Sequence, residues 1–452
     1  MTQGSGLGDA YTATLARLKS QKGYKSILGL KVLMWVLYSE RPLRTEELRH
    51  ALGVELGSTD LDHENIPALR TLLASSLGLV TVEASSSTFR LVHFTLHEHL
   101  LSDLTLFHSS HSTIAEACLS YLNFQSVRDL SPVDSVPTIM PLLEYASYYW
   151  GRHTRKGMTE NVKILALRLL NKFDEHISAQ LILLPYDRFL SMPRFSAKEG
   201  PIGFTALHGT AFHGIVEILA AVLEMKGWDA NSRDCTSCTP LIWAAIRGHE
   251  EIVKMLLERG DVNPDLADDF GLTPLKWAAM KGHERVVKVF LDREGVDSHQ
   301  ASPGYYQEAF HLAATHGREG VVKMLLQRED INPNLADTEE GRTPLSIAVE
   351  EGHERVVKIL LEREDVNPNL ADTEGGMTPL AHAASRGHEG IVKMLLERND
   401  VDIDTPDDDG NTPSSWALIQ GYNTIAWMIS KRSSTDSDIA DAVKESIVRW
   451  WM

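Results

Sequence analysis

Apolar positions in the second half of the chain follow a pattern that predicts pairs of short helices. In one stretch, Leu241 and Ala245 belong to a small apolar face, and Gly248 follows it. The next residues carry an apolar stripe with the i, i+3, i+4 spacing of one helix face, at Val253, Leu256 and Leu257. Two helices separated by a glycine are therefore expected.

The same pattern returns at a nearly fixed interval. Each copy is marked by a glycine after its first predicted helix: Gly214, Gly248, Gly282, Gly317, Gly352, Gly387 and Gly421. The interval is 34 or 35 residues (248 − 214 = 34; 317 − 282 = 35). This period, with Thr-Pro-Leu opening several copies, is typical of ankyrin repeats, which stack because no single unit can bury its stripe. We predict seven ankyrin repeats over residues 196–432, forming an α-solenoid.

Residues at the helix ends fit the same two-helix unit. Thr239 can accept a backbone amide at the start of the first helix, and Pro240 suits the first helical position. Gly248 supplies the left-handed conformation that ends this helix. In the second helix, Glu250 near the start and Arg259 near the end complement the helix dipole. Asn-Pro pairs then break the helix and begin an extended connection to the next repeat, called a finger here.

Three copies depart from the pattern. The first reads Thr-Ala-Leu-His from Thr205, and the last reads Thr-Pro-Ser-Ser from Thr412, as expected where a solenoid needs altered end repeats. Repeat four has Glu308 in place of threonine, after the unusual segment 303–307. We expect a distorted finger at that point and not a missing repeat.

The first two hundred residues predict a winged helix followed by further helices. We expect a flexible start over 1–8, helices near 9–19, 26–37, from Thr45 and 66–77, and two short strands over 79–83 and 89–93. The last three of these helices, followed by a hairpin, make a winged-helix pattern. Helical segments at 95–106, 112–122, 141–153 and 159–184 follow. The aromatic cluster Tyr145, Tyr148, Tyr149 and Trp150 is expected to pack in a core. The whole chain is thus predicted to be predominantly all-α.

Charge and cysteine usage narrow the function. The net charge is −18, and because residues 1–200 hold equal numbers of acids and bases, the repeat half carries the excess. An acidic solenoid disfavours nucleic acid or an anionic membrane as partner and favours a protein with a basic or mixed surface. The third winged-helix helix carries Arg70 as its only strong base, which also argues against DNA. Three cysteines, with no visible signal peptide or bilayer-spanning segment, indicate a cytoplasmic protein.

Several segments of the first half resemble fungal NACHT–ankyrin proteins, which are NLR-like members of the STAND signalling ATPases. The resemblance rests on residues 31–43, 46–48, 51–55, 78–80, 90–95 and 112–115, together with the repeats. It implies these domains: 1–24, a flexible start and the tail of a NACHT-like module; 25–107, a winged-helix-like domain; 108–195, a helical linker domain; 196–432, the repeats; and 433–452, a C-terminal helix or tail.

In that family a NACHT module binds and hydrolyses nucleotide, a winged helix locks the resting state, and the repeats sense a ligand. The family's winged-helix histidine, which contacts the nucleotide phosphates, matches His93. The alternative for His93 is a histidine at a strand end that bonds to the backbone. A P-loop requires Gly-x-x-x-x-Gly-Lys-Ser/Thr, and this sequence has no Gly-Lys dipeptide. The chain therefore resembles the C-terminal portion of such a receptor, in which His93 would bind a cofactor only if a NACHT nucleotide site were supplied.

The predicted function is a non-enzymatic protein–protein interaction module, the sensing or regulatory half of an NLR-like receptor in innate-immune signalling. The alternative is a regulatory subunit of a nucleotide-dependent switch, completed in trans by a NACHT ATPase. We expect a protein ligand as partner, with a NACHT module in cis or trans as a further candidate partner, and no cofactor or metal of the chain's own. The Cys235-x-x-Cys238 pair lacks the second pair that a zinc site needs. The histidines that follow the repeat glycines recur with the period, so they belong to the fold and not to catalysis.

Partners of ankyrin stacks usually contact the fingers and the exposed side of the first helix in each repeat. Counting from the opening threonine gives the positions expected on this concave face: Trp243, Ile246, Arg247, Trp277, Met280, Lys281, His316, Glu350, Glu351, His382, Arg386 and Trp416. Aromatic, Met and Arg side chains suit a protein-binding hot spot. Trp243 and Trp277 could equally pack against neighbouring helices.

Overall fold

The computed structural model describes residues 4–103, 106–130, 139–189, 203–225, 227–293 and 304–433. The chain divides into two compact units, Met1–Trp243 and Ala244–Met452, and each is considered by itself. Beyond Ser433, the predicted C-terminal helix or tail lies outside the described residues. Most of the connection from the linker domain to the first repeat also lies outside them.

The winged helix predicted for the start of the chain is confirmed. Its elements are α1 Gly4–Lys19, α2 Tyr24–Tyr38, α3 Thr45–Gly53, a three-residue 3-10 helix His63–Asn65, α4 Leu69–Ser75, β1 Val80–Glu83, β2 Thr88–Leu91 and α5 Phe94–Ser102. The apolar residues of α2 form the centre of this domain, with Val32 and Leu33 fully buried. The predicted flexible start is wrong from Gly4 onward, because α1 begins there.

The two strands pair as the wing of this domain. They are antiparallel, with Val80 opposite Leu91 and Glu83 opposite Thr88. The serine-rich turn between them places Ser87 at a φ of 53°, a left-handed conformation that few residues other than glycine adopt. At the start of α3, the buried Glu47 carboxylate accepts the Arg44 backbone N–H at 2.7 Å. It also accepts two Arg41 guanidinium N–H groups, so this buried acid is fully paired.

A helical region follows the winged helix. It comprises α6 Ser110–Leu122, α7 Gln125–Arg128, α8 Leu143–Lys156, α9 Glu160–Leu170, the 3-10 helix Phe173–Glu175 and α10 Ile177–Phe189. The single helix predicted over 159–184 is wrong, because Lys172 leaves the helical conformation (φ −138°) and splits the segment. Of the predicted aromatic core, Tyr145 and Trp150 are fully buried, and Tyr148 and Tyr149 are half-buried.

Pairs of short helices make up the rest of the described chain. They are α11 Ala206–His213, α12 Val216–Glu224, α13 Pro240–Arg247, α14 Glu250–Leu257, α15 Pro274–Lys281, α16 Glu284–Leu291, α17 Tyr305–Thr315, α18 Glu319–Leu325, α19 Pro344–Glu350, α20 Glu354–Leu361, α21 Pro379–Arg386, α22 Glu389–Glu397, α23 Pro413–Ile419 and α24 Asn423–Ser433. Seven pairs at the predicted positions confirm the ankyrin-repeat solenoid.

The ends of these helices are formed largely as expected. The Thr343 hydroxyl accepts the Ser346 N–H at 3.1 Å, with Pro344 at the first helical position. Gly248 adopts a φ of 71°, the left-handed conformation predicted for it. The prediction for Arg259 is wrong: α14 ends at Leu257, and the Arg259 guanidinium pairs with Asp261 in the following turn. Lys254 is the base in the last turn.

Repeat four has a longer first helix than its neighbours. α17 begins at Tyr305, next to Gly304 at a φ of 99°, and runs to Thr315. Glu308 therefore lies inside the helix instead of at its cap. The finger expected to be distorted, over 294–303, lies outside the described residues.

Candidate protein-binding surface of the repeats

An aspartate before the first helix of repeats two, three, five, six and seven organises the finger that leads to that helix. In the finger before repeat three, Asp268 is buried and its Oδ1 accepts the backbone N–H groups of Phe270 and Leu272, at 3.0 and 2.9 Å. Its Oδ2 accepts the indole N–H of Trp277 at 2.7 Å. One carboxylate thus holds the finger turn closed and fixes it to the first helix.

The same arrangement recurs in other repeats. The indole of Trp243 donates to Asp234, the ring of His382 bonds to Asp372, and the indole of Trp416 donates to Asp407, each at 2.7 Å. In repeat five the tryptophan position is Ile347, which cannot donate, and the Arg342 guanidinium contacts Asp337 instead. These aspartates were not predicted from the repeat pattern, although one lies five or six residues before the opening threonine of repeats two, three, five, six and seven.

Four of the positions predicted to contact a partner are interior. Trp243 is 1% exposed, Ile246 7%, Trp277 5% and His382 7%. Three of them, Trp243, Trp277 and His382, direct their polar atoms to the finger aspartates. These side chains fix the finger to the helix and have little surface left for a partner.

The other predicted positions remain on the surface of the first helices. Lys281, His316, Glu351 and Arg386 are exposed, and Arg247, Met280, Glu350 and Trp416 are half-buried. The Lys281 ammonium group lies 5.4 Å from the ring centre of Trp277, where it makes a cation–π interaction with the indole. These eight residues, with the finger tips, are called the finger-side surface here.

Glu350 lies between two arginines on this surface. Its carboxylate accepts hydrogen bonds from the guanidinium groups of Arg342, at 3.1 Å, and of Arg386 in the next repeat, at 2.5 Å. Burial by itself would raise the pKa of Glu350, but Arg386, His382 and Arg342 outweigh burial and hold the pKa below its usual value. Glu350 is therefore a carboxylate committed to holding repeats five and six together, whereas its neighbour Glu351 is exposed.

The finger tips carry most of the exposed negative charge of this surface. The exposed acids at the tips are Asp269, Glu339, Glu374, Asp408 and Asp409. Successive tips are joined, because the Thr373 N–H donates to the Glu340 carbonyl at 2.9 Å and the Asp408 N–H to the Gly375 carbonyl at 3.0 Å. The tips before repeats five, six and seven therefore form one continuous acidic edge.

Side chains that reach from one repeat into the preceding one hold this surface in place. The ring of His283 donates to the Ile246 carbonyl at 2.9 Å, and that of His353 to the Thr315 carbonyl at 2.8 Å. In repeat four Arg318 takes the histidine position and donates to the Met280 carbonyl at 2.9 Å. His283, His353 and His388 are thus cross-repeat hydrogen-bond donors, a role consistent with the prediction that they belong to the fold.

Two sites considered for other chemistry have structural contacts. His93 is exposed and caps α5, because its Nδ1 accepts a hydrogen bond from the Thr95 backbone N–H at 3.2 Å. This is the backbone-bonding alternative stated for it. Cys238 is buried in the finger before repeat two, where its N–H donates to Asp234. Within the described ranges, no group of three His, Cys, Asp or Glu side chains is placed to hold a metal ion.

The pH dependence of stability provides a test of the finger aspartates. Burial by itself would raise the pKa of Asp372, but the hydrogen bonds from Gly375, His382 and Met377 outweigh burial and hold its pKa below the usual 3.8. A lowered pKa contributes stability that is present at neutral pH and is lost as the pH falls through the folded-state value. We expect Asp372→Asn to make the free energy of unfolding fall less steeply below about pH 4. Urea unfolding at several pH values measures this, and an unchanged slope would contradict it.

Comparisons with known proteins agree with this architecture. The family model described as Ankyrin repeats (3 copies) matches overlapping segments that together span residues 180–441, more than half of the chain. The chain belongs to the ankyrin-repeat family. A second model, described as GPI inositol-deacylase, winged helix domain, matches residues 15–115.

Solved structures of ankyrin domains are similar to part of the chain. The human ASB11 ankyrin repeat domain is 22% identical, with a TM-score of 0.39, and the match covers 52% of this chain and 95% of that one. The ankyrin repeat domain of Bcl-3, a member of the IkappaB protein family, is 24% identical, with a TM-score of 0.41, covering 47% and 92%. No curated protein matches the chain. In the part of the chain that the structure describes, every helix is too short or too polar to cross a membrane.

Proposed function

We propose that this chain is a non-enzymatic protein-interaction module whose finger-side surface binds a protein with a basic face. The observation that carries this proposal is the continuous acidic edge formed by the hydrogen-bonded finger tips. Exposed acids along a rigid edge attract a complementary partner and fix its register more than they add affinity. The half-buried Trp416, bonded to Asp407 in the last finger of this edge, offers apolar contact area.

We further propose that the module is the sensing half of a cytoplasmic NLR-like receptor. The winged-helix match supports this, because that domain type is associated with NACHT modules. In this proposal the repeats bind the ligand and the winged helix communicates with a nucleotide-binding module. The alternative, a regulatory subunit completed in trans by a separate NACHT ATPase, draws on the same match and differs only in whether that module is on another chain.

Charge reversal of the acidic edge tests the partner chemistry. With the full chain as bait, Glu339→Lys, Glu374→Lys and Asp409→Lys together should reduce capture of the wild-type partners by about tenfold or more. All three side chains are exposed at finger tips, so the fold should be kept. Capture by the wild type should also weaken as salt is raised, since exposed charges are screened.

A matched control is available on the second helices and their ends. Glu258→Lys, Glu362→Lys and Glu397→Lys make the same change in net charge at exposed positions away from the fingers. If both triple variants lose capture equally, or if neither loses it, the result would contradict a binding site on the fingers. Separately, saturable binding of ATP or ADP by the full chain would contradict a non-enzymatic module.

A further inference from the structure

Exposed apolar side chains are concentrated in repeat seven. In the described part of the second unit, the large apolar residues that are exposed outside this repeat are Phe270 and Leu335. Repeat seven alone exposes four, within ten residues of each other: Leu418 at 36%, Ile419 at 60%, Tyr422 at 40% and Trp427 at 49%. An apolar group of this kind on one repeat indicates a surface that another segment covers.

The position of Leu418 in its repeat shows where the covering segment would lie. Its counterparts, six residues after the opening position of repeats three to six, are Ala279, Ala314, Val349 and Ala384, and all four are fully buried. In a solenoid such positions are buried because the following repeat packs on them. Leu418 is larger than any of these residues, yet it is the exposed one. An apolar segment in the place of an eighth repeat would bury it.

The residues that follow α24 have the pattern that this place requires. Ile439, Val443, Ile447 and Trp451 recur at every fourth position, which puts them on one face of a helix. Polar residues that favour a helix start, 434–437, precede them. A helix over 438–451 would be about 21 Å long, enough to run along either helix of repeat seven.

Charge favours the same segment. The last turn of α24 is basic, with Lys431 lying 5.1 Å from the ring centre of the exposed Trp427. The following segment carries Asp436, Asp438 and Asp441 before its first basic residue. The basic last turn of α24 and these acidic residues have opposite charges, which would set the direction in which the segment lies on repeat seven.

We propose that residues 434–452 fold back as an amphipathic helix onto the exposed end of repeat seven, formed by Leu418, Ile419, Tyr422 and Trp427, and close the repeat stack in place of an eighth repeat. This contact keeps the apolar end of the stack from pairing with a second copy of the chain.

Hydrogen exchange of the full-length chain tests this. Amides of 440–451 should exchange about tenfold or more slowly than those of a synthetic peptide of the same sequence. Replacing Leu418→Ala and Ile419→Ser together should return them to the peptide's rate. This change gives repeat seven the Ala384-Ser385 pair that repeat six already carries, so its fold should be retained, and unchanged exchange in α21 and α22 verifies that.

Two further variants complete the experiment. Ile439→Ser, Val443→Ser and Ile447→Ser together should release the segment and also increase exchange in α23, without touching repeat seven itself. Leu335→Ala, which removes an exposed apolar side chain from a finger, should change neither the exchange of 440–451 nor that of α23.

Three outcomes would overturn the proposal. The first is peptide-like exchange of 440–451 in the wild type, and the second is protection that persists when Leu418 and Ile419 are replaced. The third is a sedimentation result in which the wild-type chain dimerises and protection of α23 depends on protein concentration, because the occupant of the surface would then be a second copy.

Discussion

Asp268→Ala is expected to lower the free energy of unfolding of the repeat unit by about 3 kcal/mol, because the buried indole N–H of Trp277 and two part-buried backbone N–H groups lose one acceptor. The carboxylate accepts two backbone N–H groups of the finger turn and the indole N–H of Trp277. Alanine can accept none of these bonds, and Trp277 is too buried for water to replace the acceptor. Urea unfolding followed by tryptophan fluorescence measures the loss.

The neighbouring aspartate is the matched control. Asp269 lies at the tip of the same finger and is exposed, so Asp269→Ala should change stability by no more than about 0.5 kcal/mol. If both variants lose the same stability, the Asp268–Trp277 bond does not hold the finger as described. The pair also separates stability from binding, because we expect only the tip residue to affect partner capture without affecting the fold.

Gly248→Val should destabilise the same unit by about 3 kcal/mol, for two reasons that add. At a φ of 71°, a β-branched residue is strained whatever space surrounds it. In addition, a Cβ at this position would lie 2.6 Å from Nδ1 of His283, whose ring must then move and give up its hydrogen bond to the Ile246 carbonyl. Urea unfolding again provides the measurement.

Gly271→Val separates the two contributions. Gly271 has a nearly identical φ of 73°, but a Cβ there would meet no heavy atom within 4 Å. It should therefore show the backbone strain alone, about 1–2 kcal/mol. A Gly271 variant as unstable as the Gly248 variant would remove the role assigned to the His283 contact.

The finger-side surface shows what helical spacing in the sequence can predict about exposed positions and what it cannot. Counting from the opening threonine places Lys281, His316, Glu351 and Arg386 correctly on the exposed side of the first helix. It also selects Trp277 and His382, which face the fingers and are buried. Helical spacing gives the direction in which a side chain leaves its helix, but not whether the finger folds over it. That depends on an aspartate in the preceding connection.

The cross-repeat contacts show the same limit. The glycine and histidine of each repeat are visible in the sequence, and the left-handed glycine at the helix end follows from backbone sterics alone. The sequence does not show that the histidine reaches the carbonyl of the preceding repeat over that glycine. His283 and Ile246 are 37 residues apart, and only stacking of successive repeats brings them within 2.9 Å.

By itself, the sequence determined the repeating two-helix unit, its caps and the winged helix, because these depend on interactions between residues close in the chain. Only the tertiary structure decided which aromatic residues are interior, which acids hold repeats together and which remain at the finger tips. Those outcomes depend on contacts between residues distant in the chain, where burial and hydrogen-bond partners are set by the neighbouring repeat and not by local spacing.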